Sequence, residues 1–245
     1  AGGHPSSTNQ FMIARGALPR ERLAAGELIA SLKELDTPPE RFGPLARTSL
    51  QSGDVFRSVS NCGGGLGDPL ERDPAAVLAD VEETNVTAAT AERIYGVIIE
   101  GDSVSEAKTA ARRQHLREQR QASATPPRET ALVEAVATGP LQPWTPYLSI
   151  AESNHGDRWV FLASSGTGLC PVEANYRDYL AQLDVPCSVA GTHIDPTGLG
   201  AERFVLTLYF DPIHWTQVDM EVRAIADAPL PAFAGTIPTA ATFHA

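Results

Sequence analysis

Cysteine is nearly absent from this chain. Only Cys62, Cys170 and Cys187 occur in 245 residues, and three thiols at irregular spacing neither build a disulfide framework nor complete a four-sulfur metal site. A reducing cytoplasm is the expected setting. Long apolar runs are missing too: nowhere do about eighteen apolar residues follow one another, so no membrane span is expected. The opening AGGHPSSTNQFMIARG has no basic region leading into an apolar one, so no secretory signal is expected. It also has no initiator methionine and begins Ala1-Gly2-Gly3, as a chain entered partway through a domain does; processing or a split gene would each account for it. Basic residues are outnumbered 19 to 30, for a net charge of −11. That balance opposes affinity for phosphate backbones and anionic surfaces, so neither nucleic acid nor membrane is an expected partner.

What is present fits two modest domains. QFMIAR (10–15) and DVFRSV (54–59) are brief apolar runs bounded by turn residues and read as strands. Between them LAAGELIASLKEL is either a short helix broken at Gly26 or two strands. From Asp73 the period becomes helical. Asp73 caps, Pro74 takes the first helical position, and Val77, Leu78 and Val81 share a face until Asn85. Thr87 starts a second helix that Gly96 closes in the left-handed conformation, and VIIE (97–100) reads as a buried strand. Ser103 and Glu106 form an S-x-x-E capping box for a helix reaching about Ala122. Its apolar positions are few, mainly Ala110, Ala111 and Leu116, which suits a surface arm or a helix lying on another chain better than a core helix. The basic run Arg112 to Arg120 suits an acidic face of a sister subunit, or solvent. SATPPRE marks a linker. Beyond Pro140, Pro143 and Pro146, the runs WVFLAS, RFVLTLYF and QVDMEVRAI are of β type.

The expected fold class is therefore α+β: a mixed, β-rich N-terminal segment with two or three helices, then a small β-rich C-terminal domain. The divisions fall at residues 1–122, a linker at 123–140, the β-rich domain at 141–235 and a loosely held tail at 236–245.

The densest signal is NCGGGLGDPLERDP (61–74). A phosphate-binding P-loop needs Lys then Ser or Thr after its last glycine, but Asp68 and Pro69 follow Gly67. A dinucleotide fingerprint needs its glycines to enter a helix, and Pro69 separates them from the one beginning near Pro74. The plain reading is a loop whose glycines admit positive φ and close backbone approach. Asp68 is then expected to bond backbone amides in the turn, and Arg72 to pair with a carboxylate. Three smaller features have a chemical and a structural reading. His193 and Asp195 in GTHIDP would share a strand face as a ligand or acid/base pair, or anchor a loop. Cys62 is a nucleophile if a base lies near, otherwise a small buried thiol. His4 faces a site completed by another chain, or is a flexible end.

The stretch GDVFRSVSNCGGGLGDPLERDPAAVLADVEETNVTAATAERIYGVII resembles the C-terminal part of the B-type subunits of the hydantoinase, oxoprolinase and ketone carboxylase family. GGHPSSTNQFMIARG resembles an earlier G-G-x-P-G-S-T-N segment of the same subunits, with Ser6 where a glycine is usual. Together these segments fall within residues 1–117. The resemblance implies a hetero-oligomer in which an ATP-binding, hydantoinase A-like subunit phosphorylates an amide or enolate oxygen. A metal-bearing B-type half or subunit then completes hydrolysis or carboxylation. ATP, magnesium and a divalent metal are expected on those partners and no cofactor on this chain, whose glycine loop, Gly63, Gly64, Gly65, Gly67 and Asp68, would lie beside the partner's site. Residues 141–235 resemble the zinc-binding gamma subunit of acetone-type carboxylases through LASSGTGLCPVEANYRDYL, THIDP and LYFDPIHWTQVDMEV. In register, Leu162 and Ser165 stand at one cysteine pair and Asp211 and His214 at the other. Asp211, His214 and Cys170 are the remaining ligand candidates, too few for the closed four-ligand site that zinc prefers. The expectation is a domain without its metal, with Trp159, Phe161, Tyr209, Phe210 and Trp215 as core. On this reading the chain is a non-ATP-binding subunit of a biotin-independent ketone carboxylase similar to the acetophenone carboxylases. The alternatives are a subunit of an ATP-dependent cyclic-amide hydrolase, of N-methylhydantoinase, oxoprolinase or lactamase type, or a purely structural assembly subunit.

Overall fold

The structure, a computed structural model, describes residues 3–5, 10–27, 29, 32–42, 46–60, 64–129, 135–189 and 201–231. Cys62, Gly63, His193 and Asp195 lie outside them. The fold is α+β, with four α-helices and several small antiparallel sheets among the described residues. The backbone divides into two compact units, residues 6–63 and residues 1–5 with 64–245.

The smaller unit is built on a three-stranded antiparallel sheet. Strand β1 (Gln10–Ala14) lies between β2 (Glu40–Phe42) and β3 (Val55–Val59). The alternation of β1 sets the faces: Met12 and Ala14 pack with Leu32 and Leu35, and Phe11 and Ile13 turn to the other side. Helix α1 (Arg20–Ala24) stops just before Gly26, whose φ of 79° admits no further helical residue at low cost. The broken-helix reading of LAAGELIASLKEL is therefore the better one, with a 3-10 turn at Leu32–Glu34. Strand β2 is three residues long, too short to show a period of two, and goes unmarked in the sequence.

In the larger unit α2 (Pro74–Glu82) starts as its residues dictate, with the Asp73 carboxylate accepting from the Ala75 amide. Helix α3 (Ala88–Tyr95) is capped by the Thr87 hydroxyl, which accepts from the Thr90 amide, and closed by Gly96 at φ 62°. Two boundaries differ from expectation. Thr84, not Asn85, takes the left-handed turn after α2 (φ 63°), while the Asn85 amide bonds the Asp80 carbonyl. Ser103 does not cap a helix, because it pairs with Glu100 in the hairpin of β4 (Ile99–Glu100) and β5 (Ser103–Val104). The N-cap of α4 (Glu106–Ser123) is instead Ser105. The apolar faces of α2 and α3 meet the hairpin in a cluster of Val77, Val86, Ala91 and Val97.

The expected surface helix α4 is anchored on its own chain. The Thr109 hydroxyl accepts from the Ile98 amide, and the Arg113 guanidinium donates to the carbonyls of Tyr95 (3.1 Å) and Arg72 (2.6 Å). Beyond it, the described part of the expected linker is bonded to the β-rich region: Thr125 bridges to Gln182, and the Glu129 amide donates to the Asp178 carbonyl.

Two antiparallel sheets follow. The first has β6 (Gln142–Pro143), β7 (Leu148–Glu152), β8 (Arg158–Leu162) and β9 (Gly168–Pro171) in sequential order. The second has β10 (Ala181–Pro186), β11 (Phe204–Phe210) and β12 (Gln217–Ala224). Strands β7 and β8 are covered on both faces, which is why β8 reads as a continuous apolar run. Leu148, Val160 and Leu162 join one cluster with Leu180, Tyr209 and Val218, while Ala151, Trp159 and Phe161 join another with Ala135. Of the five aromatics expected as core, four are buried. Trp215 is the exception: it is half-exposed, in the turn between β11 and β12, at φ 59°.

Among the described residues no helix is long and apolar enough to cross a membrane.

Candidate functional site

The described glycine loop, Gly64 to Asp68, is held from both ends. At its start the Gly65 amide donates to the His4 carbonyl at 2.9 Å, and Gly3 lies so close that a β-carbon on it would meet the Gly65 oxygen at 1.6 Å. That approach is the physical requirement behind the glycine at position 3. The His4 imidazole turns toward Val189, whose carbonyl it bonds through Nε2 at 3.1 Å. Burial pulls its pKa below the usual value, against the Val189 bond, which favours the cation. His4 is thus a partly buried anchor rather than a flexible end.

At the loop's other end Gly67 has φ 81°, and a β-carbon there would lie 2.7 Å from the Tyr147 hydroxyl. Asp68 follows, and it is the hub of this region. Its carboxylate accepts four hydrogen bonds. The Leu70 amide (2.9 Å) and Arg120 Nη2 (2.9 Å) donate to Oδ1, and Arg120 Nη1 (2.6 Å) and the Gln217 amide (2.9 Å) donate to Oδ2. The side chain is fully buried and that of its partner arginine is 13% exposed. Arg120 also donates to the Trp215 carbonyl at 2.9 Å and lies 5.0 Å from the centre of the Phe210 ring. The Asp68 amide donates to the Tyr147 hydroxyl, which donates in turn to Glu71 Oε2 at 2.9 Å. Burial, reinforced by that bond to Glu71, pushes the Tyr147 phenol up to about 12, so it stays protonated at neutral pH.

One carboxylate therefore joins the glycine loop, the 3-10 turn at Pro69–Glu71, helix α4 and the β11–β12 turn. The expectation that Asp68 bonds backbone amides is met, and the amides come from its own turn and from Gln217, 149 residues away. Arg72 does pair with a carboxylate, that of Asp80 at 2.6 Å. The sequence reading missed Arg120, Tyr147 and Glu71. The bidentate fork of Arg120 was visible only as one more charge in a basic run, and Tyr147 only as part of a proline-rich approach. With both oxygens saturated, Asp68 has no lone pair placed for a metal or a substrate proton. Its chemistry is positional.

The ligand candidates in the β-rich region separate. His214 Nδ1 bonds Asp211 Oδ2 at 2.8 Å, and Asp211 Oδ1 accepts from the Ile213 amide, so this pair shapes the β11–β12 turn. Cys170 lies in the apolar cluster with Leu148 and Leu180, where burial raises its thiol to about 12. Leu162 is core, and Ser165 Oγ bonds the Thr167 hydroxyl. Among the described residues no three His, Cys, Asp or Glu side chains are grouped as a metal site requires. A buried ion network occupies this region: Arg177 donates to Asp219 (2.8 Å) and Glu221 (2.8 Å), to which Tyr176 and Tyr209 add their hydroxyls.

With this geometry in view, the relatives are informative. Over part of its length the chain is similar to subunits of the hydantoinase, oxoprolinase and ketone carboxylase family. It is 26% identical over 144 residues to the alpha subunit of the acetone carboxylase of Xanthobacter autotrophicus, covering 51% of this chain and 19% of that one. To the B-type subunit of a D-/L-hydantoinase of a Pseudomonas species it is 44% identical over 55 residues, 22% of this chain and 9% of the relative. To the beta subunit of the caprolactamase of Pseudomonas jessenii it is 45% identical over 82 residues, 33% of this chain and 14% of the relative. The chain thus spans less than a fifth of the length of these relatives. A solved acetone carboxylase in its nucleotide-free form, described as catalysing ATP-dependent acetone carboxylation, shares 27% identity over 51% of this chain and 19% of that one, with a TM-score of 0.42. No protein-family model matches the chain.

Proposed function

We propose that this chain is a non-ATP-binding part of an ATP-dependent multisubunit complex that carboxylates a ketone, working beside a hydantoinase A-like ATP-binding subunit and a metal-bearing B-type half. The observation that carries the ketone reading is reach. Similarity to the acetone carboxylase alpha subunit extends over 144 residues, against 55 and 82 for the hydantoinase and caprolactamase subunits. The higher identity of those shorter matches supports the second reading, a cyclic-amide hydrolase complex. In either, the role of this chain is structural: the glycine loop, locked through Asp68 and Arg120, supports a neighbouring subunit's site, and ATP, magnesium and the catalytic metal reside on the partners. The gamma-like reading of residues 141–235 belongs to the carboxylase proposal. Its donor set does not fit zinc, since two of the four ligand positions are Leu162 and Ser165, and no step is routed through a metal there.

The test is to isolate the chain with its native partners, identify them by mass spectrometry, and assay the assembly for ATP-dependent incorporation of labelled bicarbonate into ketones, with cyclic amides in parallel. Labelled carboxylate is the expected result. Amide opening without label establishes the hydrolase, and recovery of the chain without an ATP-binding partner overturns both.

A further inference from the structure

A groove of about 840 Å³ runs along one side of α4. Its floor is apolar, made by Leu70, Leu78 and Val104, and its wall is a single stripe of the helix: Glu106, Thr109, Ala110, Arg113 and Arg117. Positions 106, 110, 113 and 117 are separated by 4, 3 and 4 residues, the helical repeat that keeps one face. The eleven helical steps from Glu106 to Arg117 span about 16 Å.

The stripe is electrically bipolar. Asp102 and Glu106 stand at one end, and Arg113 and Arg117 at the other. Among the described residues neither Glu106 nor Arg117 makes an ion pair, although the ion pairs of Lys108 and Arg120 lie elsewhere on the same helix. The two other acids of the lining, Asp73 as the cap of α2 and Glu71 bonded to Tyr147, keep their charge and act on Arg113, which is bonded to the Tyr95 and Arg72 carbonyls, so the charges left without a partner on the stripe, among the described residues, are Glu106 and Arg117. At the centre Ala110 is exposed and small enough for two backbones to approach, with Thr109 buried beside it on its bond to the Ile98 amide.

We infer that this groove is a self-association surface whose occupant is α4 of a second copy of this chain, laid antiparallel about a two-fold axis. An antiparallel two-fold centred between positions 111 and 112 sets Glu106 of each copy opposite Arg117 of the other and Ala110 opposite Arg113. It completes both free charges with one contact used twice, as an isologous interface does. A partner of different sequence has no such reason to match a stripe that is its own complement under reversal. The inference concerns the chain itself and stands apart from the choice of reaction.

Charge reversal tests it directly. The wild-type chain is expected to sediment as a dimer in the micromolar range. Glu106→Arg places arginine against arginine at both contacts, and Arg117→Glu places glutamate against glutamate, so each variant alone is expected to dissociate with affinity lowered about tenfold or more. The two single variants mixed, and the double variant Glu106→Arg/Arg117→Glu, restore opposite charges and are expected to dimerise again. Recovery in the mixture also shows that each variant is folded. A wild-type chain that stays monomeric at 100-fold higher concentration than the expected range overturns the inference, as does a mixture that fails to reassociate.

Discussion

Removing the guanidinium of Arg120 is expected to cost the larger unit about 3 to 5 kcal/mol, the usual penalty when one partner of a buried pair is taken away and the other charge stays buried. The structure supports this range. Asp68 is fully buried and would keep only the Leu70 and Gln217 amides, while Arg120→Ala also loses the Trp215 carbonyl bond and the contact with the Phe210 ring. For a unit of this size that corresponds to a fall in Tm of roughly 6 to 20 °C. Arg120→Lys retains the charge but loses the fork that reaches both carboxylate oxygens, so it should fall in between. Urea unfolding followed by tryptophan emission suits the question, because Trp144, Trp159 and Trp215 all lie in the larger unit. The control is Lys108→Ala: its partner is Glu100, the two side chains are 62% and 52% exposed, and such surface pairs contribute about 1 kcal/mol or less. A cycle with Asp68→Asn should return a coupling energy of about 0.5 to 3 kcal/mol. If Arg120→Ala unfolds within about 0.5 kcal/mol of wild type, like the control, the Asp68 hub is not what holds loop, helix and turn together, and the reasoning fails.

Two further outcomes follow from the same region. His4 has a folded pKa below its unfolded value near 6.5, so the unfolded state binds more protons as pH falls through that value. Stability is then complete above it and declines as the pH drops toward the folded pKa; His4→Gln, neutral and still able to donate to Val189, should abolish that dependence in urea titrations at pH 5 to 7.5. Gly67→Ala is expected to cost about 1 to 3 kcal/mol from its positive φ alone, and more through the 2.7 Å clash with the Tyr147 hydroxyl. In a Tyr147→Phe background the clash is gone, so the added cost of Gly67→Ala should shrink; equal costs in both backgrounds would remove Tyr147 from the account.

Much of the local structure is legible because its causes are local. Asp73-Pro74, Thr87 and Gly96 each act within one helical turn, so α2 and α3 begin, and α3 ends, where the residues say. The alternation in QFMIAR and the apolar run of WVFLAS identify β1 and β8 for the same reason. The errors arise where a second element competes. Ser103 has the residue type and spacing of a cap, but pairing with Glu100 draws it into a hairpin and moves the cap to Ser105.

By itself the sequence determined the α+β class, most of the local starts and stops of its elements, and a glycine loop that departs from both nucleotide-binding patterns. Tertiary structure alone decided the role of Asp68. Its partners Leu70, Arg120 and Gln217 stand 2, 52 and 149 residues away, and only the first is within reach of a local rule. Whether Arg120 was one charge in a solvated run or the fork on a buried carboxylate depended on where β11 and β12 turned. Burial is a property of the folded neighbourhood and not of the residue, so only the fold could separate Cys170, sealed in a core, from Asp211 and His214, its fellow ligand candidates.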